Sequence, residues 1–274
     1  MTTILTRRAT ETQSHREKAT LCVSVSLWLV IMAAVASVNL AAQQPPAPRA
    51  AAPIDLTGNW VAVISEDWRW RMVTPAKGDV QSIPVTQQAL DAANNWDPAR
   101  DTAAGEQCRA YGAPGLMRAP TRLRISWQDD QILKVESDYG MQTRLFHFAP
   151  AQPPAGPASW QGSSVAQWQG GARGRGGRGG GAAGGAPPPP SGNLKVVTTN
   201  LRPGYLRKNG VPYSANTVLT EYWNLFQTPT ERYIVITSVV HDPENLQIDW
   251  LTSLNFRQEP DGSKWDPTPC NATW

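Results

Sequence analysis

The densest group of chemically capable side chains in this 274-residue chain is Glu66-Asp67-Trp68-Arg69-Trp70-Arg71-Met72. At strand period, Trp68, Trp70 and Met72 share one face and Asp67, Arg69 and Arg71 the other. Two uses follow for such indoles: a stacking platform, or plain packing beneath a solvated charge ladder. Glu221 stands on a strand face with Leu219, Trp223 and Leu225. A dry carboxylate there is costly, so it lines a wet cavity or the face is outside. Glu221, Arg144 and Tyr139 also form an acid/base set, although nothing in the sequence pairs them. His147 and His241 sit in separate strands, and a metal site would need folding to bring them together with carboxylates. The spacing of Asp97, Asp101 and Glu106 does not match a calcium loop. No HExxH, CxxC, P-loop or Gly-x-Ser-x-Gly run occurs. Hence no catalytic residue, metal or cofactor is assigned. The expected ligand contacts are Arg144, His147, Glu221, Trp223, Trp68 and Trp70. Arg144 and His147 occupy opposite faces of an ideal strand, so at most one points inward unless a bulge intervenes.

The elements that must position these groups are strands. In Arg122 to Phe148, Leu123, Ile125 and Trp127 alternate with polar residues, as do Leu133 and Val135. Asp129-Asp130 and Asp138-Tyr139-Gly140 supply the turns of a three-stranded meander. Lys195 to Thr199, Thr217 to Phe226, Arg232 to Val240 and Ile248 to Phe256 continue the strand pattern, rich in β-branched and aromatic residues. Asn209-Gly210 is a hairpin signal, with Pro203 and Pro212 keeping the hairpin short. One short helix is expected over Thr86 to Asn95, capped by Thr86 and ended at Trp96-Asp97-Pro98.

Residues 1–42 read as a signal peptide: basic start, apolar Leu21 to Val38, then small residues. Retention as a membrane anchor is the alternative. Residues 43–54 read as a disordered Pro/Ala tether, and 55–274 as one β-domain with a disordered Gly/Arg/Pro-rich insertion at 170–192. Loss of residues 1–42, with four basic and two acidic side chains, takes the formal charge from +3 to +1. That balance does not suggest a nucleic-acid partner. Cys108 and Cys270 then remain, and in an oxidising compartment they pair.

Gly58-Asn59-Trp60 resembles the Gly-x-Trp opening of lipocalin-like barrels, in which a tryptophan plugs one end of the barrel. The resemblance implies a basic partner on the last strand, here Arg257. EDWRWRM, QCRAYGAP, RLRISWQDD, GMQTRLFHF, NLRPGYLRKNGVPYS and EPDGSKWDPTPC together resemble a family of secreted bacterial proteins of unknown function, over most of Leu56 to Cys270. It implies no activity to carry over.

The fold expected is all-β: a single antiparallel up-and-down barrel of about nine strands, of lipocalin or calycin type. The function expected is that of a periplasmic or extracellular protein binding a small apolar or aromatic ligand. A carbohydrate-binding β-domain with exposed tryptophans, an acid/base enzyme in a barrel pocket, and an interaction domain without a pocket remain as alternatives.

Overall fold

The computed structural model describes residues 46–170 and 192–273. The signal-peptide reading of 1–42 and nearly all of the insertion lie outside the described residues. Nine strands close a barrel: β1 (Gly58–Val63), β2 (Arg122–Trp127), β3 (Ile132–Ser137), β4 (Gln142–Phe148), β5 (Ser163–Gly170), β6 (Gly192–Thr199), β9 (Val218–Gln227), β10 (Arg232–His241) and β11 (Trp250–Glu259). Their order around the ring is β1-β11-β10-β9-β6-β5-β4-β3-β2. β7 (Gly204–Arg207) and β8 (Val211–Tyr213) form a separate hairpin around Asn209-Gly210. Gly210 has φ +83°, and a Cβ there would lie 2.2 Å from the Trp96 ring, so the turn needs glycine.

An odd number of strands cannot alternate strictly around a closed ring. One neighbouring pair must run parallel, and it is β4 with β5. The up-and-down pattern therefore departs at this one junction. The chain returns from the end of β4 to the start of β5 through residues 149–162. Pro150, Pro153, Pro154 and Pro157 there cannot donate to a ladder, which suits a crossover lying over the barrel rather than within it.

Alternation fills the interior. Trp60, Leu123, Ile125, Leu133, Val135, Phe146, Leu194, Val196, Trp223, Ile234, Ile236, Leu254 and Phe256 belong to one buried cluster, each at most 2% exposed. Burying each large side chain is worth about 1.5–3 kcal/mol. The packed interior corrects the expectation of an internal ligand chamber. Trp60 is fully buried in this cluster and donates from Nε1 to Leu56 O at 3.0 Å. Its cation is Arg232, 5.9 Å from the ring, and not Arg257. Register explains this: Val61 opposes Arg257 while Trp60 opposes Gln258, so Arg257 points outward with Val61 and pairs with Glu231.

The two ends differ. At the first, tight turns join β2 to β3 and β9 to β10, and residues 47–54 lie across the end instead of forming a loose tether. Trp168 Nε1 donates to Pro48 O at 2.8 Å, Arg49 N donates to Asp130 O at 3.1 Å, and Ile54 is buried. The aromatic group Trp127, Phe148 and Trp168 supplies the apolar surface that this segment helps cover.

At the second end, long connections build a cap with its own small core around Ile83, Ala89, Leu206, Val211, Leu246 and Trp250. It holds α1 (Trp68–Arg71), α2 (Gln87–Asn94), α3 (Pro98–Ala103), a 3-10 turn (Gln107–Tyr111) and α4 (Ala113–Leu116). Thr86 caps α2, its Oγ1 accepting from Ala89 N at 3.3 Å. Asp97-Pro98, read as a helix stop, is also a start: Asp97 caps α3 and Pro98 takes its first turn. Among the described residues no helix is long and apolar enough to cross a membrane.

Candidate functional site

Trp68–Arg71 of EDWRWRM are helical rather than extended, and that changes which residues are presented. In a helix, residues two apart do not share a face. Trp68 is therefore exposed, Trp70 half-buried and Arg71 buried, so the indole platform implied by strand period does not form. α1 starts from Asp67 in the left-handed region, φ 55°, a conformation aspartate tolerates better than most residues. That turn aims the Arg71 side chain into the cap.

Arg71 there meets Arg118, Arg207 and Lys208 around a recess of about 30 Å³, bordered also by Trp70 and Tyr139. None of its lining side chains among the described residues is acidic. The carboxylates stand behind the cations. Arg71 Nη1 donates to Glu66 Oε1 at 2.6 Å, and Arg118 Nη2 to Asp67 Oδ2 at 2.9 Å. Arg207 Nη1 donates to Asp79 O at 3.0 Å and its Nη2 to Gln81 O at 2.9 Å. Two buried donors are left over. Arg71 Nη2 and Arg207 Nε have no hydrogen-bond partner among the described residues. An unmet N–H on a buried guanidinium costs about 1–3 kcal/mol or more, which a bound acceptor would recover.

Electrostatics point the same way. Burial first, and then the nearby Arg118 charge, hold both Arg71 and Arg207 down to about 10 despite their carboxylate neighbours. Burial brings the Lys208 ammonium down to about 8. Lys208 Nζ donates to Tyr139 OH at 2.7 Å, Tyr111 OH at 3.1 Å and Thr273 O at 3.3 Å. Trp70 is clamped between the guanidinia of Arg69 and Arg207, 4.8 and 5.1 Å from its ring, and donates from Nε1 to Asp79 Oδ2 at 2.9 Å. A bound anion would offset the repulsion among like charges packed this closely.

The remaining expected contacts fall in three places. Arg144, Glu221 and Trp223 point into the barrel. Arg144 Nη1 and Nη2 reach Glu221 at 3.0 and 2.6 Å, with the two side chains 0% and 1% exposed, and Nη2 also donates to Thr198 Oγ1 at 3.1 Å. Glu221 thus takes neither of the expected routes: its face is inside and dry, and Arg144 compensates the charge. Tyr139 engages Lys208 and Tyr111 in the cap, so the acid/base set of Glu221, Arg144 and Tyr139 is not assembled. Strand alternation sends His147 outward, to a hollow under the 149–162 crossover. His241 instead faces Asp249, Nδ1 to Oδ1 at 2.7 Å, so the two histidines do not meet.

Arg118 and Lys208 escaped the sequence reading because each is a single cation in a loop with no period. Strand period groups Arg71 with Asp67 and Arg69, whereas the helix turns it inward. The expected bridge forms: Cys108 and Cys270 are joined at 2.07 Å, tying the C-terminal tail to the 3-10 turn beside the recess. Among the described residues no group of three or more His, Cys, Asp and Glu could hold a metal ion. No protein-family model, curated protein or solved structure matches this chain.

Proposed function

We propose that this chain is an exported β-barrel binding protein that holds a small ligand by an anionic group, carboxylate or phosphate, seated in the basic recess. The observation that carries this is the convergence of Arg71, Arg118 and Arg207 with two buried, unmet N–H donors. A space of about 30 Å³ takes one small group and not a whole metabolite. The body of the ligand then lies outside it, where Trp70, which lines the recess, offers aromatic contact. This keeps small-molecule binding but replaces the expected apolar or aromatic ligand with one that carries an anionic group, and moves its seat from the barrel interior to the cap. Export is supported by the basic-apolar-small order of residues 1–42 and by the disulfide.

The test is thermal unfolding in a zwitterionic buffer, titrated with phosphate or acetate, for wild type, Arg71→Met and Arg207→Met. At a concentration 100-fold above Kd, binding adds about 2.7 kcal/mol and raises Tm by roughly 5–10 °C. Saturation in the wild type and its loss in both variants is the expected result. Parallel, unsaturating rises in all three proteins would reflect salt exclusion alone and overturn the proposal.

A further inference from the structure

The hollow that receives His147 has chemistry opposite to that of the recess. It holds about 440 Å³, within the roughly 300–1,000 Å³ of small-molecule sites. Its floor is the outer face of β4 and its roof the Pro153–Pro157 run of the crossover. No Asp, Glu, Lys or Arg lines it among the described residues. The polar groups it offers are neutral amides, hydroxyls and one imidazole, a lining ill-suited to an ion and well suited to hydroxyl groups.

Two of the lining side chains carry a buried polar atom that is unmet. His147 is 6% exposed, and its Nδ1 has no hydrogen-bond partner among the described residues. Gln161 Oε1 is also buried and without a partner there, while its Nε2 is committed to Tyr111 O at 2.8 Å and Gln142 Oε1 at 2.9 Å. Trp160 completes the wall, its ring held by the Arg202 guanidinium 4.4 Å above it. An aromatic wall beside fixed neutral donors and acceptors is what a sugar ring, apolar on its C–H face and polar at its edge, requires.

We infer that this hollow is a second binding site, separate from the basic recess, for a neutral polyhydroxylated ligand of monosaccharide size. His147 and Gln161 meet its hydroxyls and Trp160 packs on its ring. The proline-rich roof makes the site pre-formed, since little backbone freedom remains to be lost on binding.

Calorimetric titration of the full chain with glucose, N-acetylglucosamine and myo-inositol, with glucuronate as the charged control, decides the matter. At least one neutral probe is expected to bind saturably with Kd in about the millimolar range, and glucuronate at least tenfold more weakly. Trp160→Ala and His147→Ala should each weaken binding at least tenfold, with Trp160→Phe keeping most of it. Arg71→Met should leave sugar binding unchanged, so failure of the recess proposal and failure of this one are read separately. Absence of saturable heat for all three neutral probes up to about 100 mM would overturn the inference. So would wild-type affinity in folded Trp160→Ala and His147→Ala.

Discussion

At the scale of single residues, the barrel interior depends on one ion pair. Arg144 and Glu221 are buried and bonded to each other through Nη1 and Nη2, with Nη2 also donating to Thr198 Oγ1. Removing one partner strands the other charge in a dry core, at a cost of about 3–5 kcal/mol, whereas replacing both with apolar residues is near neutral or stabilising. Urea unfolding should therefore show Glu221→Gln strongly destabilised and Arg144→Met/Glu221→Met close to wild type. If the double variant is as unstable as the single one, the pair contributes far more than charge compensation. Lys208 gives a second expectation. Its ammonium titrates at about 8 in the folded chain, below its ordinary 10.5, because burial disfavours the charge. Between those values the unfolded chain holds the proton and the folded chain does not, so stability rises with pH through that window. The slope is at most about 1.4 kcal/mol per pH unit. Raising pH from 8 to 9.5 should stabilise the wild type relative to Lys208→Met, and identical pH profiles would remove Lys208 as the source. Neither the pairing nor the displaced lysine was legible in sequence. The face of Glu221 was, but its partner lies on another strand, 77 residues away.

At the scale of elements, the C-terminal tail is the piece most dependent on cross-links. Cys270 is bridged to Cys108, and Tyr111 OH donates to Asn271 O at 3.2 Å, beside Lys208. Gly140 makes the approach possible: with φ +78°, it lies where a Cβ would be 2.2 Å from the Tyr111 ring. The bridge spans 162 residues, for which loop entropy gives about 4–5 kcal/mol, not always realised in full. Cys108→Ser/Cys270→Ser should lower stability by about 2–5 kcal/mol and weaken anion binding, because the tail braces Lys208 and Tyr139 at the recess. Unchanged anion affinity in that variant would separate the tail from the site. Strands were the readable elements, because alternation over six or more residues is a strong local signal. α1 was misread because four residues carry no period: either geometry fits WRWR until Asp67 is seen to turn the chain.

At the scale of the whole molecule, closure is the organising constraint. β1 pairs with both β2 and β11, so the first and last strands seal the ring, and the buried Trp60 lies on the strand at the seam. The odd strand count forces the parallel junction, that junction needs a crossover, and the crossover roofs the neutral hollow. None of that sequence of consequences can be read from local pattern, since it follows from how many strands close. By contrast, the Gly/Arg/Pro-rich insertion is attached where closure is already secured. Gly170 pairs with Gly192, the last rung of the β5–β6 ladder, so both ends of the intervening segment are fixed at hairpin spacing by the barrel itself. Loop-closure entropy changes by only about 0.6 kcal/mol for each doubling of length. Replacing residues 171–191 with a short Gly/Ser linker should therefore shift stability by about 1–2 kcal/mol at most, and leave binding at the recess and at the hollow intact. Thermal unfolding and the two titrations on the shortened chain provide the check. A loss several times that size would mean that the segment contributes packing to the barrel, and the ladder from Gly170 to Gly192 would then depend on the insertion instead of anchoring it.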